Sequence, residues 1–560
     1  MTWLRRLWQQ RNTRRGRAFR EAITAYLMLA PAVSLIFAFG LWPVLFAVYV
    51  SLHRWRIRQG PFVGMKHYVN AIDALAFPLF FVVAAAFFWA AYRLARRLWA
   101  EARPRTLGHG LAVLVPASLW AATALAGVAY GVTALPEVLN IGYKAIGQKR
   151  TPDLFRRLLY EALHAPQVWA AWQRFVGLFL LALVVTLAIA KLARAPQRWP
   201  GWGKRTAWAA VALFFTVLGG IVAVYTWHEL QRFAAQFAAE SSRHLPLQVA
   251  SILAGGLLLW ASWVVWNRAV RASKDRRFLG LAFAALLLMI GGWVLLAELP
   301  AVIAAGDRDV WRGLVTTVYY SAGTVPFQLA LGLFFALLLF QNIRGRELFR
   351  VIYFMPYITP AVASAAVFRL MFSPRAAGPV NMLLTRLGLP PQRWLMEPRG
   401  IFDLLGEAMG IQVPSWAAGP SLALVVIMLY SIWTYVGYDT VIYLAGLGNI
   451  PQELKEAAAI DGANQWQIFR YVILPLLSPT TYFLSLIAVI GTFKAFNHIY
   501  VMREPAAQGT VDTFSLVIFD EFFTKTRYGY ASALAFILFA VILVLTLLNR
   551  RIQGSRVFYQ

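Results

Sequence analysis

About twelve apolar runs, each near the length that crosses a bilayer, divide this chain from end to end. A helix rises about 1.5 Å per residue, so roughly 20 apolar residues traverse the ~30 Å hydrocarbon layer. The runs fall near 25–52, 76–92, 107–133, 175–190, 206–227, 248–266, 278–297, 314–340, 351–372, 421–447, 480–501 and 529–548. Hydrophobic residues are 60% of the chain and charged ones 14%, against roughly 45–50% and 25% in soluble domains. A soluble enzyme is excluded. The expected fold is all-α, a polytopic membrane bundle of about twelve transmembrane helices.

The net charge of +29 would suggest nucleic acid in a soluble chain. In a membrane protein its location decides the matter, because Lys and Arg accumulate in cytoplasmic loops. Arg5, Arg6, Arg11, Arg14, Arg15, Arg17 and Arg20 precede the first run. Each loop predicted to be internal is then basic: Arg93, Arg96, Arg97, Arg103 and Arg105; Lys191, Arg194, Arg198, Lys204 and Arg205; Arg268, Arg271, Lys274, Arg276 and Arg277; Arg344, Arg346 and Arg350. Arg550, Arg551 and Arg556 close the series, so both termini are expected in the cytoplasm and the charge reads as topology. Membrane lipid, not nucleic acid, is the expected surrounding. The first run is too long for a signal-peptide core, although Ala30-Pro31-Ala32 imitates a cleavage site, and is expected to remain as a span. With no cysteine there is no disulfide or thiolate site.

Three regions emerge. Residues 1–75 carry the basic tail, the first span and an outer segment; 309–560 carry the last five spans; 76–308 hold about six more. That middle stretch reads as three hairpins, each two spans joined by a basic turn, with units beginning near Phe81, Leu178 and Leu257. Their outer ends rhyme, Leu135-Pro136-Glu137 with Glu298-Leu299-Pro300, although membrane hairpins share such features through topology alone.

One internal loop, 449–475, differs from the others. Pro451 suits a first helical turn, Glu453 favours its positive end, and Gly462 permits a left-handed stop. The short helix between them offers Leu454 as an apolar anchor, Glu456 as a charge, and the small Ala457 and Ala458 as a face a partner can approach closely, with Asp461 at its end. Trp466, Phe469 and Val472-Ile473-Leu474-Pro475 are expected to fix a second helix against the bundle. Read from the residues alone, this is either a docking element or an amphipathic loop helix that covers the bundle.

Glu456-Ala457-Ala458, then Gly462, then nine residues and Val472-Ile473-Leu474-Pro475, resembles the signature loop of permease subunits in binding-protein-dependent ABC importers. Val472 stands where that family usually has Ile. The likeness extends to Tyr26-Leu27-Met28-Leu29-Ala30-Pro31 with Trp42-Pro43, to Phe62-Val63-Gly64 and Tyr68, to Asp309-Val310-Trp311-Arg312 and Met355-Pro356-Tyr357, and to Gly378, Asn381 and Trp394. It covers about 22–75 and 309–560, six spans of a type I importer core, and is nearest to the larger maltose-type subunit; 76–308 departs from it.

The resemblance implies a non-catalytic subunit of the inner membrane, paired with a second permease. It implies that two ATPase subunits grip the coupling helices and that an extracytoplasmic sugar-binding protein delivers substrate to the outer loops at 373–420 and 502–528. It also implies a di- or oligosaccharide site near the midplane on Thr434, Tyr435, Gly437 and Tyr438, faced by Thr492, Lys494 and Asn497. Ala488 and Ala495 fall where the maltose permease has hydrogen-bonding side chains, which argues against maltose itself. Tyr435 and Tyr438 either face sugar or pack between helices; Lys494 either serves the pathway or snorkels; Asp439 meets either the cavity or another helix. His498 is expected at the outer interface.

No cofactor is expected on this chain, since ATP belongs to the partner subunits. Gly201-Trp202-Gly203-Lys204-Arg205, the nearest approach to a phosphate loop, lacks the upstream Gly and the hydroxyl residue. There is no His-Glu-x-x-His for a metal and no Gly-x-Ser-x-Gly. The competing readings are a polytopic enzyme acting on lipid-linked sugar, for which the spans offer mainly Asp439, and a permease carrying a lipid- or protein-binding module at 76–308.

Overall fold

A computed structural model describes residues 14–554 apart from positions 57, 102–106, 150, 193–194, 196–200, 241–243, 272–273 and 342–343. Arg5, Arg6, Arg11, Arg103, Arg105, Arg194, Arg198 and Arg556, named above as topology markers, lie outside the described residues. Among the described residues extended pairing is limited to two isolated bridges, His53 with Phe62 and Gly400 with Ser421. All else that is regular is helical. Among the described residues ten helices are long and apolar enough to span a membrane. Two bent pairs, Arg346–Ile358 with Ala361–Met371 and Gln465–Leu476 with Ser478–Phe493, bring the total to twelve if each pair is one span.

The bends have local causes. The first pair turns by 95° at Thr359-Pro360. Proline disfavours helical backbone in the residue before it and has no N–H to donate, and Thr359 is accordingly extended with ψ 135°. The second turns by 62° at Leu477, with Pro475 and Pro479 on either side. The expected span at 351–372 is therefore a broken one, while the bend at Leu477 precedes the expected span at 480–501, whose helix Ser478–Phe493 ends before its far end.

The chain forms two compact units, Met1–Ile72 with Ile303–Gln560, and Asp73–Val302. In the second, the long Trp202–Glu240 helix packs against both Ala76–Glu101 and Leu107–Leu139, and Leu107–Leu139 also packs against Pro166–Leu192. The first two expected hairpins thus interlock. Leu245–Ala269 meets Lys274–Ala305 through glycine: a Cβ on Gly291 would lie 3.0 Å from the Gly255 carbonyl. An amphipathic helix, Pro152–Leu163, is capped by the Thr151 side chain and buries Leu158 and Ala162.

In the first unit the central pair is Arg308–Phe340 with Leu422–Gly448. Gly313, Thr317, Tyr320, Thr324, Gln328, Gly332, Ala336 and Leu339 are buried along the first of these helices, at the spacing of one helical face. Glycines let the helices approach: a Cβ on Gly332 would lie 2.7 Å from Asp439 Cβ, and one on Gly437 would overlap the Tyr353 carbonyl. Two apolar clusters hold the unit. Tyr320, Leu424, Ile427, Tyr430 and Ile499 belong to one, and Ala336, Tyr443, Leu447, Leu477 and Leu484 to the other. The segment between them along the central pair carries the polar residues.

Gly437→Ala therefore forces Leu422–Gly448 away from Arg346–Ile358, an overpacking cost of about 1–3 kcal/mol. It is expected to lower the midpoint of thermal unfolding in detergent. An unchanged midpoint would show that this contact does not hold the pair.

Candidate functional site

A cavity of about 420 Å³ opens within the first unit, between the two apolar clusters. Arg308–Phe340 contributes Tyr320, Thr324 and Gln328; Leu422–Gly448 contributes Ser431, Tyr435, Tyr438 and Asp439; Ala488, Thr492, Lys494, Asn497 and His498 close the far side. The first three recur every fourth residue, which puts them on one helical face.

The walls are part aromatic and part hydrogen-bonding. Tyr357 stacks on Tyr438 at 4.8 Å between ring centres and meets Tyr435 at 5.9 Å. At the other end Tyr320, Ser431 and His498 form a buried polar triangle, with the Tyr320 hydroxyl 2.9 Å from His498 Nε2 and the Ser431 hydroxyl 3.2 Å from it. Thr492 donates to the Ser321 hydroxyl at 2.8 Å. Two buried oxygens are left without partners, Thr324 Oγ1 and Asp439 Oδ2. A buried polar atom without a hydrogen bond costs roughly 1–3 kcal/mol, so both are groups that a polar ligand would satisfy.

Of the residues expected to bind substrate, Tyr435, Tyr438, Thr492, Lys494 and Asn497 line this cavity, and Thr434 and Gly437 do not. Thr434 donates back to the Tyr430 carbonyl at 2.9 Å, and Gly437 is the close-approach point already described. Tyr435 and Tyr438 pack against Tyr357 and also line the cavity. Asp439 also meets both the cavity and Gly332. His498, expected at the outer interface, is buried at 7% exposure because Tyr320 and Ser431 hold it inward. The sequence reading missed Tyr320, Thr324, Gln328, Tyr357 and Ser431. A signal existed for three of them, the four-residue polar spacing inside an otherwise apolar span.

Leu422–Gly448 runs from the cavity to the expected coupling loop with only Asn449-Ile450-Pro451 between it and the helix Gln452–Ile460. Gly462 has φ +85°, and Ala463 N–H donates to the Ala458 carbonyl at 2.9 Å, a left-handed stop. Asn464 and Gln467 then cap each other reciprocally to restart the chain as Gln465–Ile468. Lys455 Nζ lies 4.8 Å from the centre of the Phe340 ring, which ties the short helix to the end of Arg308–Phe340 as well. Leu454, Glu456, Ala457, Asp461 and Gly462 are exposed and Ala458 is half-buried. Ile468 is buried, but Trp466 is 68% exposed and packs its ring on Phe469, so it does not seat the second helix in the bundle as expected. Ile460 is 87% exposed. Apolar side chains standing free on a polar loop mark a contact surface.

The loop 373–396 is organised by one side chain. Asn381, fully buried, donates to the carbonyls of Ser373, Arg375 and Gln392 and accepts from Gln392 N–H at 2.9 Å and Trp394 Nε1 at 2.7 Å. In the loop at 502–528 Arg503 bridges Asp512 and Asp520 at 2.7 and 2.9 Å. Burial pushes the Asp512 carboxyl above the usual range, against the pull of Arg503. Asn381→Ala orphans buried groups in the first loop at a cost of roughly 3 kcal/mol. Limited proteolysis of the purified chain is expected to cut within 373–396 in this variant and not in the wild type.

Comparison with known proteins agrees with this geometry. The sequence profile of the binding-protein-dependent transport system inner membrane component family matches residues 328–556. A probable ABC transporter permease protein of Pyrococcus horikoshii is 32% identical over 241 residues, 43% of this chain and 75% of that protein. The trehalose/maltose transport system permease protein of Thermococcus litoralis is 30% identical over 249 residues, 44% of this chain and 76% of its own. The arabinooligosaccharides transport system permease protein of Bacillus subtilis is 29% identical over 248 residues, 44% and 71% respectively. The chain belongs to the binding-protein-dependent transport system inner membrane component family. It is the multi-pass permease component of an ABC importer and not an enzyme, and its family works with an ATPase and a binding protein. The family match lies wholly outside Asp73–Val302.

Proposed function

We propose that the chain conducts a sugar of di- or oligosaccharide class through the first-unit cavity, driven by ATP hydrolysed on partner subunits. The carrying observation is the pairing of an aromatic wall, Tyr357, Tyr435 and Tyr438, with the unpartnered oxygens of Thr324 and Asp439. A sugar presents C–H faces that suit tyrosine rings and hydroxyl groups that donate to such oxygens. Relatives whose names specify trehalose/maltose and arabinooligosaccharides support the substrate class. Ala488 and Ala495 in the wall argue for a sugar other than maltose.

In this reading Leu454, Glu456, Ala457, Ala458, Asp461 and Gly462 form the face gripped by an ATPase, one of two. A second permease completes the passage, and an extracytoplasmic binding protein delivers sugar to the outer loops. Both termini lie in the cytoplasm, the chain binds no cofactor of its own, and ATP binding and hydrolysis shift the spans between outward- and inward-facing states by differential affinity.

Two outcomes follow. Glu456→Lys or Gly462→Asp abolishes sugar uptake and ATPase co-purification while the chain stays in the membrane; normal uptake in both would reject the coupling role. Tyr438→Ala removes one stacking face, about 1 kcal/mol, and is expected to raise the half-saturating sugar concentration several-fold with ATPase association intact. An unaltered uptake curve would move the sugar path elsewhere.

A further inference from the structure

The Asp73–Val302 unit has a cavity of its own, about 520 Å³, bounded by Ala76–Glu101, Leu107–Leu139 and Trp202–Glu240. Its walls are apolar, with Phe88, Leu98, Val113, Leu114 and Leu213 among them. Ala91, Gly110, Ala209 and Ala212 also face it, where larger side chains would close it. On the first helix it extends from Phe88 to Leu98, ~15 Å at the helical rise, which is about one leaflet of a ~30 Å hydrocarbon core. A slot of that length lined by apolar side chains matches the reach of one acyl chain across a leaflet.

One end of the slot is polar, and it is built. Arg205 Nη1 donates to Nε2 of His109, itself 6% exposed, at 3.2 Å. Beside it Trp202 Nε1 donates to the Ala112 carbonyl at 2.8 Å, fixing the start of the Arg205 helix against its neighbour. The His109 contact occupies one of the five guanidinium donors, and the planar fork of arginine matches phosphate. Arg93, Arg96 and Arg97 lie near the end of the helix that lines the slot, and no carboxylate is among the described residues around the cavity. Shape, depth and charge therefore call for one long hydrocarbon chain attached to an anionic head.

We infer that this slot binds a phospholipid of net negative charge, one acyl chain between the three helices and the phosphate on Arg205. The inserted unit then carries a specific lipid site at the basic end of its spans, where anionic headgroups are attracted by ~1 kcal/mol per basic residue.

The test uses the full chain in its purified complex, stripped of lipid, supplied with phosphatidylglycerol or phosphatidylcholine, and measured for retained lipid by native mass spectrometry. The wild type is expected to retain phosphatidylglycerol in preference. Arg205→Gln should reduce that retention about fivefold and reduce phosphatidylcholine, whose phosphate charge is offset by its choline, by less. Gly110→Leu, at a position where an added Cβ meets nothing within 4 Å, should fill the slot and remove the preferred lipid without straining the helix. Equal retention of the two lipids by the wild type, wild-type retention by either variant, or a slot kept lipid-free by a neighbouring subunit each overturns the assignment. The readout does not involve transport, so failure of the sugar reading leaves it standing.

Discussion

The approach of Arg308–Phe340 to Leu422–Gly448 is the contact on which the transport unit depends. Lipid tails give apolar helices no hydrophobic reason to associate, so close packing must supply the attraction, and small residues are what permit it. Gly332 sits against Asp439 and Gly323 against Met428, and between these points the pair carries its polar side chains. The result is a cavity whose hydrogen-bonding groups are shielded from lipid. Thr324 and Asp439 each keep an oxygen unpartnered there, a cost that only the surrounding packing lets the fold sustain.

The same two helices reach the coupling loop. Leu422–Gly448 continues into Gln452–Ile460 after three residues, and Phe340, the last residue of the other helix, lies under Lys455. A displacement of the short helix has little slack to absorb before it reaches the walls of the cavity. The bent helix pairs on either side, at Thr359-Pro360 and Leu477, flank a continuous central pair.

The Asp73–Val302 unit lies outside the family match and shares the polytopic style without the polar centre. Its helices interlock through Trp202–Glu240, and its cavity is apolar with a cationic end. The contrast separates two cavity chemistries within one chain, a polar and aromatic one in the first unit and an apolar one with a cationic end in the other.

Much of this was legible in the residues. The number and order of spans follows from run lengths, because a backbone in lipid can satisfy its hydrogen bonds only by forming helices or closed barrels. The turn at Gly462 was legible too, since a glycine stop after a short helix is a local device whose effect needs no distant partner. Tyr435 and Tyr438 line the cavity wall, whereas Thr434 and Gly437, each one residue before a cavity tyrosine, do not: Thr434 bonds back to the Tyr430 carbonyl and Gly437 meets Tyr353. Which face of Leu422–Gly448 meets the cavity is set by the approach of Arg308–Phe340 and Arg346–Ile358, over a hundred residues earlier for some contacts, such as Tyr320 with Ser431. For the same reason His498 moved from an expected surface to a buried triangle. Run length and local turn chemistry determined what spans and where it ends; only the packing of distant helices decided which side chains share a cavity, because helix rotation is fixed by neighbours and not by hydropathy.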